Sequence, residues 1–556
     1  MERQKMSPIW GLLFFQKEKS IVKLIFSLFC CIINKKGVIE MKKIVLIIAL
    51  CFGLFAFTGC VEKYPIPIGI RPSQRFTVAE YIGNDAVYQE NTPLKITGKA
   101  EPGVVMVATL TDVKSSIVDT AFATTDNQGV WSLSLDAPDG SLKAYHLKIA
   151  DSLDTYHEFY TNIRFGEVWF VAGDSILDST ENEIEAKENS KDKVDYNKMF
   201  LYQHKWVPAT QKISLFASNL LDQIEKDAAY RLKKAIAVVL ATTDSATPIY
   251  SWFSPEMIQS RNYVSTFLEK NGLSYQPELE TTPTWAYQNH VELLTGMNFN
   301  AIIWNQGIYD FSTPVDTSGQ SFEKIYSQMF YDLMSDFQHR FPFTKKIMVL
   351  QEGSNLITGS ERLRKVQSDI SKYYNRCILV PTYDLNHIVT EPIDYNTSTD
   401  AAITAEENIE KVDGYHTEQL IQRVFQLLGN ENELPILKNV LQIYNSDKKV
   451  THLKLIFNFE FTSQAQDSIE GLLFYDKDLK PVDVNYRLVN NEIIIELETI
   501  KYVPSGTDEA ESATYETIAE YQQIYKIAYA QSNFIYYSNL KLNGIAVAPF
   551  EVWIES

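Results

Sequence analysis

Ser175 closes the tripeptide Gly173-Asp174-Ser175, directly after the apolar run Val168 to Ala172. A strand that ends in such a turn delivers a side chain to the carboxyl edge of a sheet, where open α/β folds gather ligands and reacting groups. A serine hydroxyl attacks an ester carbonyl only when a base removes its proton, so Ser175 calls for a histidine oriented by a third group. The chain has eight histidines. In the region after the serine, two loop sequences carry an aspartate three residues before a histidine: Asp384-Leu-Asn-His387 and Asp413-Gly-Tyr-His416. One loop then supplies both groups, the carboxylate taking the imidazole N–H that faces away from the serine. His416 is preferred because it stands just before the last helix of its region, whereas His387 has no helix start beside it. Taken singly, Gly-Asp-Ser is also an ordinary turn and each histidine an ordinary exposed loop residue.

These residues need elements to hold them. From Gly166 to about Gly429, short apolar runs alternate with longer stretches of helical period, as a parallel sheet with crossover helices requires. The expected strands are Val168 to Ala172, Ile236 to Leu240, Ala301 to Trp304, Ile347 to Leu350 and Ile378 to Val380. The expected helices are Leu215 to Lys234 with Ser214 as N-cap, Phe322 to Phe341, Ser360 to Tyr374, and Thr417 to Leu428 with Gly429 as its stop. The charged stretch Asp178 to Tyr196 reads as a solvated loop beside the serine.

The flanks are different. Residues 76–163 show short β-rich runs broken by Pro102-Gly103, Asp126 to Gly129 and Pro138-Asp139-Gly140, the spacing of a small immunoglobulin-like β-sandwich. Residues 431–556 return to alternation, as in Leu453 to Phe461 and Glu492 to Leu497, and form a third, β-rich domain. The α/β domain is therefore expected over 164–430, preceded by a proline-bearing linker at 61–75.

The amino terminus reads as an export signal beginning at Met41: two lysines, an apolar run, then Phe57-Thr58-Gly59-Cys60. Only about 15 apolar residues precede Gly59, against the ~20 needed to span a bilayer as a helix. Residues 1–40 are then an upstream misassigned start. The closing tetrapeptide resembles a bacterial lipobox, which implies a lipid on Cys60 and a membrane-anchored location in the periplasm or at the cell surface. Of five cysteines, Cys30, Cys31 and Cys51 fall in the removed part. Cys377 is left without a disulfide partner and reads as a core residue. A formal net charge of −19 argues against nucleic acid as a partner. No His, Cys, Asp or Glu set has metal-ligand spacing, so neither a metal nor an organic cofactor is expected.

The Ser175, Asp413 and His416 pattern is similar to the SGNH (GDSL-type) hydrolase superfamily, and within it the chain resembles the sialate O-acetylesterase family. Ile96 to Leu110 and Thr125 to Leu135 resemble the sandwich before the catalytic domain, and Gly166-Glu167-Val168-Trp169 the junction into the catalytic strand. Glu361 to Gln367 resembles a family helix bearing Arg and Gln, and Ser538 to Trp553 the closing β segment. The resemblance implies an SGNH-like three-layer α/β domain that hydrolyses O-acetyl esters on sugars. Ser175 would be the nucleophile, His416 the base and then acid, and Asp413 the orienting carboxylate. Oxyanion donors would be the backbone N–H of Ser175, a backbone N–H near Ala246 in Thr243 to Thr247, and the side-chain amide of Gln306. Three motifs depart from the family pattern. Gly-Gln-Ser-Asn-Met reads Gly173-Asp174-Ser175-Ile176-Leu177; Gly-Gly-Thr reads Ser245-Ala246-Thr247, losing residues free to adopt positive φ; and Gln-Gly-Glu reads Gln306-Gly307-Ile308, deleting a carboxylate. The alternative is a weak or inactive hydrolase frame at the surface that binds glycans. Trp169, Trp252, Trp304 and Tyr415 lie near the loops where a sugar would stack, although a tryptophan at a strand end is more often core.

Overall fold

The computed structural model describes residues 75–174, 195–209, 214–226, 233–243, 247–312, 321–352, 360–369, 374, 376–385, 414–429, 434–461, 469–504, 515–530, 540–542 and 545–554. Turn signals divide the first part into β1 (Thr77–Val78), β2 (Val87–Gln89), β3 (Pro93–Lys99), β4 (Val105–Asp112), β5 (Ile117–Thr124), β6 (Val130–Asp136) and β7 (Tyr145–Asp151). Strands β1, β3 and β6 form one antiparallel sheet, while β5, β4 and β7 form a second that continues into β8 (His157–Asp174). Alternation explains the packing: every second residue of β6 is buried, and Leu133 and Leu135 share one core with Met106, Ala108 and Leu110 of β4.

Strand β8 is 18 residues long, and the expected boundary between 163 and 164 falls inside it. Its first half pairs antiparallel with β7 and its second half parallel with β11 (Ala235–Thr243) and β12 (Ala301–Asn305). Gly166 makes the passage possible, because a Cβ there would collide with the carbonyl oxygen of Ala235. Each of the five expected strands appears. The five central ones lie in the order β11, β8, β12, β13 (Lys346–Leu350), β14 (Cys377–Val380), all parallel. Outside β11 lies β9 (Lys198–Tyr202), also parallel, with β10 (Lys205–Pro208) antiparallel at the edge.

Central strands buried on both faces read as unbroken apolar runs, and residues 165–174 of β8 are all buried. Trp169 and Val171 point into a core with Leu220 and Ile224 of helix α1 (Leu215–Lys226). On the other face Val168, Phe170 and Ala172 share the core that continues from the N-terminal sheets. The short helices α2 (Pro255–Ser260) and α3 (Asn262–Lys270) follow β11, and α4 (Ile308–Ser312) follows β12. Helix α5 (Phe322–Arg340) buries Phe330, Leu333 and Phe337 against that second face. Two helices complete the region: α6 (Ser360–Ser368) and α7 (Gly414–Leu428). Ser214 caps α1 as expected, accepting from the Ala217 N–H at 3.1 Å. Two expected helices are described over shorter spans: α1 over Leu215–Lys226, with Lys233 at φ of 55° outside helical backbone, and α6 over Ser360–Ser368. Helix α7 starts at Gly414, so the backbone of His416 lies inside its first turn rather than ahead of it. No proline between Gly414 and Leu428 prevents that extension.

The last part is β-rich, as expected. Strands β15 (Leu437–Tyr444), β16 (Val450–Phe457), β17 (Leu472–Tyr475), β18 (Asn485–Val489) and β19 (Glu492–Glu496) are followed by β20 (Glu498–Pro504) and β21 (Tyr515–Tyr521). Then come β22 (Lys526–Tyr529), β23 (Lys541–Leu542), β24 (Ile545–Ala546) and β25 (Phe550–Trp553). The principal sheets are β15-β16-β19-β18 and β17-β22-β25. This part is tied to the α/β sheet: Ile545 lies in the core beside Ile421 and Val424 of α7, and the Tyr383 hydroxyl donates to the Val547 carbonyl at 2.6 Å. Pro72–Ser556 form one compact unit. No described helix is long and apolar enough to cross a membrane.

Candidate active site

The strand order reverses at β8: β9 and β11 follow it on one side, and β12, β13 and β14 extend the sheet on the other. A crevice at the carboxyl ends is the expected product of such a switch. Gly173 and Asp174 end β8 there, and Ser175 is the next residue in sequence. Gly173 pairs with Asn305 and has φ of 125°; a Cβ on it would overlap the Asn305 carbonyl oxygen. Only glycine adopts that conformation without strain.

Gln306 follows β12 directly, as the sequence expects, and its side chain is fully engaged within the protein. The amide nitrogen donates to the Thr247 carbonyl at 3.1 Å and to Asp310 Oδ2 at 2.6 Å. Its oxygen faces the Tyr326 hydroxyl of α5 at 3.1 Å. A primary amide has two hydrogens, both used here, and Gln306 is only 1% exposed. In this arrangement Gln306 braces the loops, and the amide expected to face a substrate oxygen is held by the Thr247 carbonyl and Asp310. It reaches an oxyanion only by releasing one of the two acceptors.

Asp310, on α4, was not singled out by sequence reasoning. Its Oδ2 also accepts from the Ile249 backbone N–H at 3.0 Å. Burial raises its carboxyl to about 7, against the pull of the hydrogen bonds from Gln306 and Ile249. Asp174 is buried as well. Desolvation first, then the carboxylates of Glu352 and Asp310, push it well above the ordinary carboxylate range, against a backbone hydrogen bond from Gly307. Among the described residues, Asp174 Oδ1 and Thr247 Oγ1 are buried without a hydrogen-bond partner.

Helix α6 closes the far side. Gln367 accepts from the Glu352 N–H at 2.8 Å, and Gln351 donates to the Arg364 carbonyl at 3.2 Å, which fixes the helix against the exit of β13. Arg364 is fully buried. Desolvation lowers its guanidinium to about 10, opposed by the nearby Glu352 and Glu361 charges.

The described residues also bear on the two Asp-x-x-His sequences. Asp384 is buried and bound by Arg423 of α7, at 2.7 and 3.0 Å, and by Lys541 of β23 at 2.7 Å. Its carboxylate is committed to that ion cluster. Ser175, Ile176, Leu177, Ser245, Ala246, His387, Asp413 and Cys60 lie outside the described residues, and of His416 and Ile308 only the backbone is described. Trp169, Trp252 and Trp304 are fully buried: Trp169 stacks on Phe425 at 5.1 Å, and Trp252 meets Trp304 edge-on at 4.9 Å. They are core residues. So is Cys377, whose thiol burial pushes up to about 12. Among the described residues no three His, Cys, Asp or Glu side chains are grouped to hold a metal.

No family model matches the chain, and no curated protein is significantly similar to it in sequence. Among solved structures, an acetyl xylan esterase from the rumen bacterium Butyrivibrio proteoclasticus aligns over 55% of this chain and 90% of that one, at 11% identity. Its TM-score of 0.20 carries no argument. A carbohydrate acetylesterase from Xanthomonas citri aligns over 86% of this chain and 99% of that one, at 13% identity with a TM-score of 0.59. With that acetylesterase the chain shares its mixed α/β fold.

Proposed function

We propose that the protein is a serine esterase that removes O-acetyl groups from sugars or glycans, in the manner of sialate O-acetylesterases and other SGNH hydrolases. The observation that carries the reading is the end of β8. Gly173, pressed on the β12 backbone, ends β8 with Asp174 at the crevice of a fold shared with a carbohydrate acetylesterase, and Ser175 is next in sequence. Ser175 Oγ attacks the acetyl carbonyl carbon as His416 takes its proton, with Asp413 orienting the imidazole. The tetrahedral oxyanion is met by the backbone N–H groups of Ser175 and Ala246, and by Gln306 when its amide releases Thr247. His416 returns the proton to the departing sugar oxygen, leaving an acetyl-serine. Water, deprotonated by His416, then releases acetate and restores Ser175.

No cofactor takes part. The domains at 76–163 and 431–556 support the catalytic region at 164–430, and a lipid on Cys60 holds the enzyme at a bacterial membrane facing the periplasm or the outside. A second reading, a glycan-binding protein on an inactive frame, draws support from the saturated Gln306 amide.

The deciding experiment uses protein lacking residues 1–60, with p-nitrophenyl acetate and an acetylated sugar as substrates. Ser175→Ala is expected to lower kcat/KM by at least about a thousandfold. Equal residual rates in wild type and variant would instead favour the binding protein.

A further inference from the structure

The loops that leave β11 and β12 flank the end of β8, and one carboxylate ties them together. Asp310 Oδ2 receives the Ile249 N–H at 3.0 Å from the first loop and the Gln306 amide at 2.6 Å from the second. The same amide reaches back to the Thr247 carbonyl at 3.1 Å, so the crossing is double. Two acceptors at the amide nitrogen and a hydroxyl at its oxygen fix which way Gln306 faces. All of these groups are buried: Thr247 is 0%, Gln306 1% and Asp310 5% exposed.

We propose that Asp310 is a positioning residue of the esterase site: its carboxylate latches the exit loops of β11 and β12 to each other beside the end of β8, and the latch is strongest when the carboxylate is charged. The inference rests on the esterase reading and adds a residue to it. An ionised oxygen accepts two N–H donors with charge-assisted strength; a protonated carboxyl holds them more weakly. Burial resists the ionisation of Asp310, and its two N–H donors favour it. Asp310 is faced by Asp174 from the end of β8, which Glu352 at the exit of β13 also faces. The hydroxyls of Tyr326 on α5 and Tyr250 beside Ile249 also face it. Arg364, the buried cation of this region, faces Glu352 and Glu361. Arg362 donates to the carbonyl of Phe311 and pairs with Glu323. The Asp310 carboxyl therefore titrates at about 7, within the range where an esterase histidine also titrates.

The test is the acid limb of kcat/KM for p-nitrophenyl acetate. With both His416 and Asp310 required to lose a proton, log kcat/KM in the wild type falls below pH 7 with a limiting slope of about 2. Asp310→Asn keeps an acceptor of the same shape and removes the ionisation. It is expected to lower kcat/KM about tenfold at pH 8, reduce the slope to about 1 and leave KM within about twofold. A wild-type slope of 1, or a slope of 2 retained in Asp310→Asn, overturns the proposal. Asp310→Glu is expected to restore the steeper limb.

Thermal unfolding gives a second readout, independent of turnover. A carboxyl raised by folding is destabilising as pH rises from its unfolded to its folded value. The Tm of wild type relative to Asp310→Asn should therefore fall between pH 4 and about 7 and level off above it. A flat difference overturns the buried titration even if wild type lacks Ser175-dependent activity, a result that would separately reject the esterase reading.

Discussion

A Cβ at residue 173 has nowhere to go. The Asn305 carbonyl occupies its place, and a φ of 125° is open only to glycine. Gly173→Ala is expected to destabilise the fold by at least about 2 kcal/mol, read as a lower urea midpoint at unchanged m. Two causes add in this variant, backbone strain and displacement of β12, so the residue that leads into Ser175 also holds two strands in register. The tripeptide is legible in the sequence because an ordinary turn of glycine, aspartate and serine stands at the end of an apolar run, where a strand of an open α/β sheet ends. Asp310 is not legible. Its meaning depends on Ile249 and Gln306 meeting it, and on Thr247 and Tyr326 holding Gln306; the bonds from Ile249 to Asp310 and from Tyr326 to Gln306 join residues far apart in the chain. The deletion of a carboxylate at Ile308 is visible in the sequence; the carboxylate two positions later becomes visible only when α4 turns it inward.

At the scale of elements, helix α7 carries His416 in its first turn and Arg423 two turns later. Arg423 is held by Asp384, itself fully buried, with Lys541 as the third member. Removing one partner of a buried ion cluster leaves the other charge uncompensated. Asp384→Ala is therefore expected to cost about 3 to 5 kcal/mol in urea unfolding. Although burial opposes it, bonding to Arg423, followed by the charges of Arg423 and Lys541, keeps the Asp384 carboxyl below its ordinary value. A depressed carboxyl contributes stability that is complete above its unfolded pKa and lost as pH falls through the folded one, so the cluster should persist to below about pH 4. Strands β11 to β14 are readable in advance because fully buried parallel strands leave unbroken apolar runs. Helix ends are less so: residues of good helical propensity continue past Lys226 in sequence, yet the strand that begins at Ala235 requires the chain to turn before it, with Lys233 in the left-handed region.

For the whole molecule, the boundary between the α/β sheet and the closing β region is crossed by two buried contacts and a surface ion pair. Ile545 completes the core over α7, Val547 accepts from Tyr383, and Glu551 pairs with Lys365 of α6 at 2.9 Å. A chain ending at residue 430 loses all three together with Lys541. It is expected to be insoluble or to melt at least about 10 °C lower than a chain of residues 61–556, as thermal unfolding would show. The sequence announces the three regions through their changing periodicity. It does not announce how closely they are joined, because Gly166 looks like a break while the structure uses it for close passage.

Strand β8 imposes a parity rule on the chain. Its odd-numbered Ile163 and Phe165 belong to the core of the N-terminal sheets, whereas the even-numbered Val168, Phe170 and Ala172 pack toward α5. One inserted residue between Phe165 and Val168 would turn every later side chain of the strand, as far as Asp174, to the opposite face. A strand used in this way can change its length there only in steps of two, so what the fold fixes is the parity of each face and not the length itself.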